Sequence, residues 1–271
     1  MLIVSPATKI LDEGANIVHE AATKPLGAIS NTFVSAWNLT FGNIDHWNEK
    51  SKIKREANLK EYSELSFMKF NGIPETNRQE PKMSIVGPAV EASKYFFEEE
   101  YYREMFSNLI AGTFDNRKDK LIHESFTELI KQLSPLDARI LNFINNHSPD
   151  HSSNYPLCKV LFKGAEENTY EDSILNNYLF MNLPFIDSQI DDSVITSSLN
   201  NLSRLGLVTI NVELTGMFNT DKTLYNYCTE EIIKMKFKID HQSDKIVIVP
   251  GVLLITKYGS NFISVCLPSK K

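Results

Sequence analysis

Apolar side chains recur at steps of three and four between Pro81 and Leu141, which is the spacing of one face of an α-helix. The pattern is clearest in two runs, with Phe96, Tyr102, Met105, Phe106, Leu109 and Ile110 in the first and Phe126, Leu129, Ile130 and Leu133 in the second. The spacing predicts successive helices that pack on one another through these residues.

A second apolar stripe lies near the N-terminus, in a window that carries no charged residue between Lys24 and Asp45. Its members, a candidate face for a membrane or a partner, are Leu26, Ile29, Phe33, Trp37 and Phe41. A helix of about 20 residues could cross a bilayer core of about 30 Å, but Asn, Thr, Ser and Gly dilute this window. Two interpretations stay open. The helix packs on the protein's own core or on a second subunit, or it enters the membrane interface conditionally.

Local signals predict where further helices begin and end. A charged helix is predicted from Trp47 to Asn71, where the sequence NGIP stops it, and another is expected after Ser84, with Pro88 in an early turn. The later sequence SPLD offers a serine cap and a proline at the first helical position. Asp137 occupies the capping-box position, although its side chain is one carbon shorter than the usual Glu.

The last third of the chain combines helices with strands. A helix is predicted over 193–205, a glycine ends it, and strands are predicted over 207–214 and 246–255 before a closing helix opened by Thr256. This order is typical of a winged helix-turn-helix. The segment between Leu214 and Lys245 is too long for a short wing and indicates an inserted helix or an elaborated wing.

The expected fold class is therefore mainly α with a C-terminal α+β part. We expect a small apolar helical segment at residues 1–45, a helical domain at 46–133 and a winged-helix-like domain at 134–271. At 271 residues, 42% hydrophobic and 23% charged, the chain has the length for two modest domains and the composition of a soluble globular protein.

The cysteines and the N-terminus favour the cytoplasm. Cys158, Cys228 and Cys266 are widely spaced and form no C-x-x-C pair, so unpaired thiols in a reducing compartment are expected. The N-terminus has no basic region before its short apolar run and is a poor signal peptide. We expect a cytoplasmic protein, with residues 25–44 as the segment that could hold it at the periphery of the inner membrane.

The charges of the C-terminal part disfavour DNA binding. A candidate winged-helix contact face comprises Asn200, Asn201 and Arg204, of which only Arg204 is basic. Asp191 and Asp192 stand at the helix N-terminus, where side chains that read bases normally project, and would repel phosphates. The net charge of −6 points the same way. A protein-contact or purely structural role is preferred for this helix.

The known motifs of catalysis and of cofactor binding are absent. His147, Asp150 and His151 form H-x-x-D-H, but no third ligand is fixed nearby, so a solvated polar loop is preferred to a metal site. The chain contains no Walker A loop, no dinucleotide-binding glycine motif and no nucleophile elbow. We expect no cofactor, no metal and no enzymatic activity.

Several helix and cap sequences resemble the abortive infection alpha family of bacterial phage-defence proteins. The resemblance rests on REMFSNLIAG and FTELIKQLSPLDA, and on SLNNLSRLGLV and ITKYGSNFI further along the chain. These are core and capping patterns, so they indicate kinship rather than chemistry. The resemblance implies a protein that makes infected bacteria stop growing or die before phage release, and it carries over no catalytic residue.

The leading hypothesis is a cytoplasmic, non-enzymatic phage-defence protein that acts through protein partners or on the membrane. It is expected to form a homo-oligomer and to respond to a phage or host protein. The alternative is a winged-helix transcription regulator with a helical oligomerisation domain. A hydrolase of unrecognised type is the third hypothesis.

Overall fold

A computed structural model describes residues 27–41, 49–147, 155–163, 177–180, 192–212 and 245–267. The chain divides into two compact units. Unit 1 contains the described residues up to Gln132 and those from Asn261 onward, and unit 2 contains those from Leu133 to Ser260. The expected N-terminal segment is described only from Gly27, and the expected elaborated wing lies outside the described residues.

Helices build the described N-terminal part of the chain. They are α1 (Gly27–Phe41), α2 (Glu49–Asn71), α3 (Met83–Ser93), α4 (Glu100–Thr113) and α5 (Phe126–Gln132), with a single 3-10 turn at Glu75–Asn77. From Tyr102 onward every side chain of α4 except that of Glu104 is buried. α2, α3 and α5 pack against α4, and α1 packs against α3. The successive helices predicted from the apolar spacing are confirmed.

Unit 2 combines helices with one antiparallel sheet. Its elements are α6 (Pro135–His147), β1 (Tyr155–Lys163), β2 (Asn177–Phe180), α7 (Asp192–Arg204), β3 (Val208–Asn211) and β4 (Lys245–Ile255), and α8 (Lys257–Cys266) begins in unit 2 and ends in unit 1. The strand order is β2–β1–β4–β3, with Tyr155 opposite Leu253 and Val208 opposite Ile255. The prediction of a mainly helical chain with a C-terminal α+β part is confirmed.

Two helix ends follow the predicted cap chemistry. The Asp137 backbone N–H donates to Ser134 Oγ at 3.1 Å, and the Ser134 N–H donates to Asp137 Oδ2 at 2.7 Å, which completes a reciprocal capping box despite the shorter side chain. At the end of α7, Gly206 has φ +72°, and the Leu207 N–H donates to the Leu202 carbonyl at 3.0 Å. Glycine suits this left-handed position because it has no Cβ to clash.

The start of α8 comes very close to the backbone after α7. A Cβ added at Gly259 would lie 2.0 Å from the Leu207 carbonyl oxygen, so only glycine permits this approach. Thr256 holds the junction: its hydroxyl donates to the Gly206 carbonyl at 2.6 Å and accepts the Gly259 N–H at 2.8 Å. The predicted opening of the closing helix by Thr256 is confirmed.

One expectation about the cysteines is wrong. Cys158 in β1 is buried and disulfide-bonded, whereas Cys266 is a free, buried thiol. The inference of a reducing compartment from three unpaired thiols is weaker as a result.

Among the described helices, none has both the length and the apolarity needed to cross a bilayer.

Candidate functional site

The apolar stripe of α1 is buried within unit 1. Phe33, Trp37 and Phe41 are 8%, 2% and 0% exposed. Leu26 and the side chain of Ile29, the other members of the predicted face, lie outside the described part of the chain. The three described members of this face therefore pack on the protein's own core.

The apolar stripe of α1 packs against three aromatic rings. We call Tyr62, Phe97 and Phe114 the aromatic seat; all three are buried. The Trp37 ring centroid lies 5.1 Å from that of Tyr62, and the Phe41 centroid lies 5.9 Å from that of Phe97, edge to face. Such distances are those of favourable ring pairs.

The Phe114 ring completes the contact at the other end of α1. Its centroid lies 6.2 Å from that of Phe33 in an edge-to-face arrangement.

Burial raises the pKa of Tyr62 well above the usual range, so its hydroxyl stays neutral at physiological pH. The seat is thus an uncharged, ring-lined surface.

The opposite side of α1 faces solvent and is also uncharged. Ser35, Asn38 and Leu39 are exposed, and the helix sequence GAISNTFVSAWNLTF contains no acidic or basic residue. No ion pair can therefore hold α1 in the seat through its own side chains. Among the described side chains of α1, apolar and ring contacts supply the attachment.

The predicted winged-helix contact face is tied to the interior of unit 2. The Asn201 amide donates to Asp137 Oδ2 at 2.8 Å, and the Arg204 guanidinium donates to Asn201 Oδ1 at 2.8 Å. Ser198 also donates to the Asp137 carboxylate. Asn200 is exposed. Two of the three predicted contact residues are thus brought together and joined to the cap of α6.

A cleft in unit 1 was not anticipated from the sequence. It has a volume of about 580 Å³ and lies between α2, α4 and the turn after α4. The lining residues used below are Leu65, Met68, Lys69, Ile73, Glu104, Gly112, Asp115, Arg117 and Lys118. We call it the charged cleft. The run of charges in the turn sequence FDNRKDK is the signal in the sequence that could have indicated it.

Two ion pairs cross or border the charged cleft. Lys69 on α2 pairs with Glu104 on α4. In the turn, Arg117 Nη2 lies 2.6 Å from Asp115 Oδ2 and Nε lies 2.8 Å from Oδ1, a two-point contact. The Arg117 guanidinium lowers the pKa of the buried Asp115 carboxyl, so this carboxylate stays ionised.

Lys118 differs from the other two cations of the cleft. Its side chain reaches across Gly112, since a Cβ added at Gly112 would lie 3.5 Å from Lys118 Cδ. Burial lowers the pKa of the Lys118 ammonium group. Among the described residues, no carboxylate lies within ion-pair distance of it.

The H-x-x-D-H sequence lies only partly within the described residues. Asp150 and His151 lie outside the described residues. Within the part of the chain that the structure describes, no three His, Cys, Asp or Glu side chains are grouped as metal ligands would be.

A known protein family matches most of the chain. The family model described as abortive infection alpha matches residues 54–266. No curated protein and no solved structure is significantly similar to the chain. The match includes the aromatic seat and the charged cleft, and α1 lies before it. Because it spans well over half of the chain, this protein belongs to the abortive infection alpha family.

Proposed function

We propose that this protein stops the growth of phage-infected bacteria by binding, and that α1 is the segment it delivers to its target. Family membership supports a role in abortive infection, in which the infected cell ceases to grow or dies before phage release. The resting protein keeps α1 in the aromatic seat. A phage or host protein acts as the trigger that frees it.

The observation that carries the proposal is the way α1 is attached. An uncharged helix outside the family-matched residues covers a ring-lined surface inside them, through Phe33, Trp37 and Phe41. Among the described side chains of α1 these contacts are apolar, and an apolar attachment is non-directional and can be exchanged for another apolar surface. Charged anchors would instead require specific partners on both surfaces.

The energetics favour a latent helix rather than a permanently free one. Full burial of one large apolar side chain stabilises by about 1.5–3 kcal/mol, so three rings contribute roughly 5–9 kcal/mol to docking. That free energy keeps α1 docked in the absence of a target. A target that buries the same rings recovers most of this docking free energy. A trigger with a small preference for the released state can therefore shift the equilibrium between docked and released α1.

We propose the cytoplasmic surface of the inner membrane as this target. Trp and Phe side chains suit the boundary between headgroups and acyl chains, and binding there scales with buried apolar area. Because α1 carries no charge, its membrane binding should not depend on anionic lipid or on salt. The expected homo-oligomer stays a prediction, and the burial of Phe33, Trp37 and Phe41 within one chain removes the main reason for it.

Vesicle binding tests the proposal with a matched pair of variants on the seat side. Tyr62→Leu removes the ring beneath Trp37 and Phe41 but keeps apolar volume, whereas Tyr62→Phe keeps the ring. We expect Tyr62→Leu to bind phosphatidylcholine vesicles more strongly than wild type, and Tyr62→Phe to resemble wild type. Equal, negligible binding by all three folded proteins would refute the membrane target.

We further propose that unit 2 is a winged-helix-like domain used for protein contact. The strand order β1–β4–β3, with α7 directly before β3, supports this assignment. The Asn201 and Arg204 side chains are engaged in bonds within unit 2, which disfavours base reading and thus the alternative of a transcription regulator. A gel-shift assay against genomic fragments in 150 mM salt tests that alternative. We expect no shift, and a specific shift would support the regulator.

A further inference from the structure

We infer that the charged cleft of unit 1 binds a small organic phosphate, with Lys118 as its principal cation. This site is independent of α1 and of the membrane target. Its volume of about 580 Å³ lies within the usual range of about 300–1,000 Å³ for small-molecule pockets. The argument rests on the distribution of charges, on the state of Lys118 and on the apolar wall of the cleft.

The charges of the cleft favour an anion. The lining contains three cations, Lys69, Arg117 and Lys118, against two carboxylates, Glu104 and Asp115. One positive charge is therefore left over in the cleft of a chain whose net charge is −6. Since both carboxylates are already paired with Lys69 and Arg117, the surplus belongs to Lys118.

The resting state of Lys118 is unfavourable, which a ligand would relieve. Burial disfavours its charged form and lowers its pKa; attraction to the Asp115 carboxylate, which is already paired with Arg117, opposes this shift, and repulsion from Lys69 and Arg117 adds to it. A half-buried ammonium group without a carboxylate partner costs stability. A phosphate group placed between Lys118 and Arg117 would supply the missing partner, because phosphate oxygens accept several charge-assisted hydrogen bonds at once.

The apolar wall indicates that the anion has an organic body. Leu65, Met68 and Ile73 line the side of the cleft formed by α2 and the turn that follows it. Inorganic phosphate would leave this apolar wall exposed to water, whereas a nucleotide-sized ligand could place a flat or apolar group against it. Pockets that combine an apolar wall with a few converging polar groups are typical of small-molecule sites.

The test combines thermal unfolding with a small ligand panel. The probes are AMP, ribose 5-phosphate and inorganic phosphate, added to the full-length wild type, Lys118→Met and Lys120→Met. Lys120 is exposed in the same turn and does not line the cleft, so Lys120→Met controls for loss of a nearby charge. Methionine preserves the apolar stem of lysine.

We expect AMP, and to a smaller extent ribose 5-phosphate, to raise the melting temperature of wild type and of Lys120→Met. In Lys118→Met the affinity should fall about tenfold or more, since hydrogen bonds to charged groups are lost. The ligand-free Lys118→Met protein should melt at a higher temperature than wild type, which a purely structural lysine would not produce.

Three outcomes would overturn the inference. The first is that no probe shifts the melting temperature of wild type. The second is that Lys118→Met melts lower yet keeps the full ligand-induced shift. The third is that inorganic phosphate stabilises as strongly as AMP, because the apolar wall would then contribute nothing.

Discussion

The side-chain amide of Asn201 in α7 donates a hydrogen bond to the Asp137 carboxylate at the start of α6, across 2.8 Å. The same carboxylate accepts from the Ser134 backbone N–H and from the Ser198 hydroxyl, and its residue is only 1% exposed. Asp137 therefore caps one helix and anchors a second. Asn201, a candidate for partner recognition by sequence, serves the interior of unit 2.

Replacing Asp137 by alanine should destabilise unit 2 strongly. The substitution removes the carboxylate that accepts from the Ser134 N–H in the capping box and leaves the Ser198 and Asn201 donors without their acceptor. We expect a loss of about 2–4 kcal/mol in the free energy of unfolding, measured by urea denaturation. Asp137→Asn, which keeps an acceptor oxygen, should lose less. A loss below about 1 kcal/mol for Asp137→Ala would show that the network is not needed.

Two glycine-to-alanine substitutions should have opposite signs. At Gly259 the new methyl group would overlap the Leu207 carbonyl, so the start of α8 must move and stability should fall by several kcal/mol. At Gly87 in α3 the added Cβ would meet no atom within 4 Å beyond its chain neighbours and its own helix, so alanine should stabilise through helix propensity, by less than the usual ~1 kcal/mol because the following Pro88 crowds this Cβ. Thermal unfolding measures both. A tolerated Gly259→Ala would contradict the close approach of α8.

Acidification should weaken unit 1 through Asp115. Because its folded-state pKa is lowered by Arg117, the carboxylate contributes stability that is complete above its unfolded pKa of about 3.9 and is lost as the pH falls through the folded value. Asp115→Asn should be less stable than wild type at pH 7, and the difference should shrink below about pH 3.9. Urea unfolding at pH 7 and at low pH compares the two proteins. A constant difference across this range would argue against the ion pair as the cause.

Local signals in the sequence predicted most helices and several boundaries. The SPLD cap, the glycine after α7 and the apolar run of β4 depend on residues within a few positions of each other. Neither β1 nor β2 was predicted, and the four-residue β2 is defined mainly by the strand with which it pairs, here β1.

The candidate sites were less predictable because their parts are distant in sequence. Lys69 and Glu104 are 35 residues apart, and Asp137 and Asn201 are 64 apart. The apolar stripe of α1 was recognised, but its receiving surface is made of rings on separate elements, so the choice between core and membrane stayed open. Periodicity reports which face of a helix is apolar, and it does not report what covers that face.

The growth rate of uninfected cells that express seat variants tests the central claim, that α1 is the effector held in the aromatic seat. We expect Tyr62→Leu to slow growth without phage, because α1 is released, and Tyr62→Phe to leave growth unchanged. Adding Trp37→Asp to Tyr62→Leu should restore growth, since a charge on α1 opposes its insertion at an apolar target. If cells expressing soluble Tyr62→Leu protein grow normally, or if Trp37→Asp fails to restore growth, α1 is scaffold and the account is contradicted.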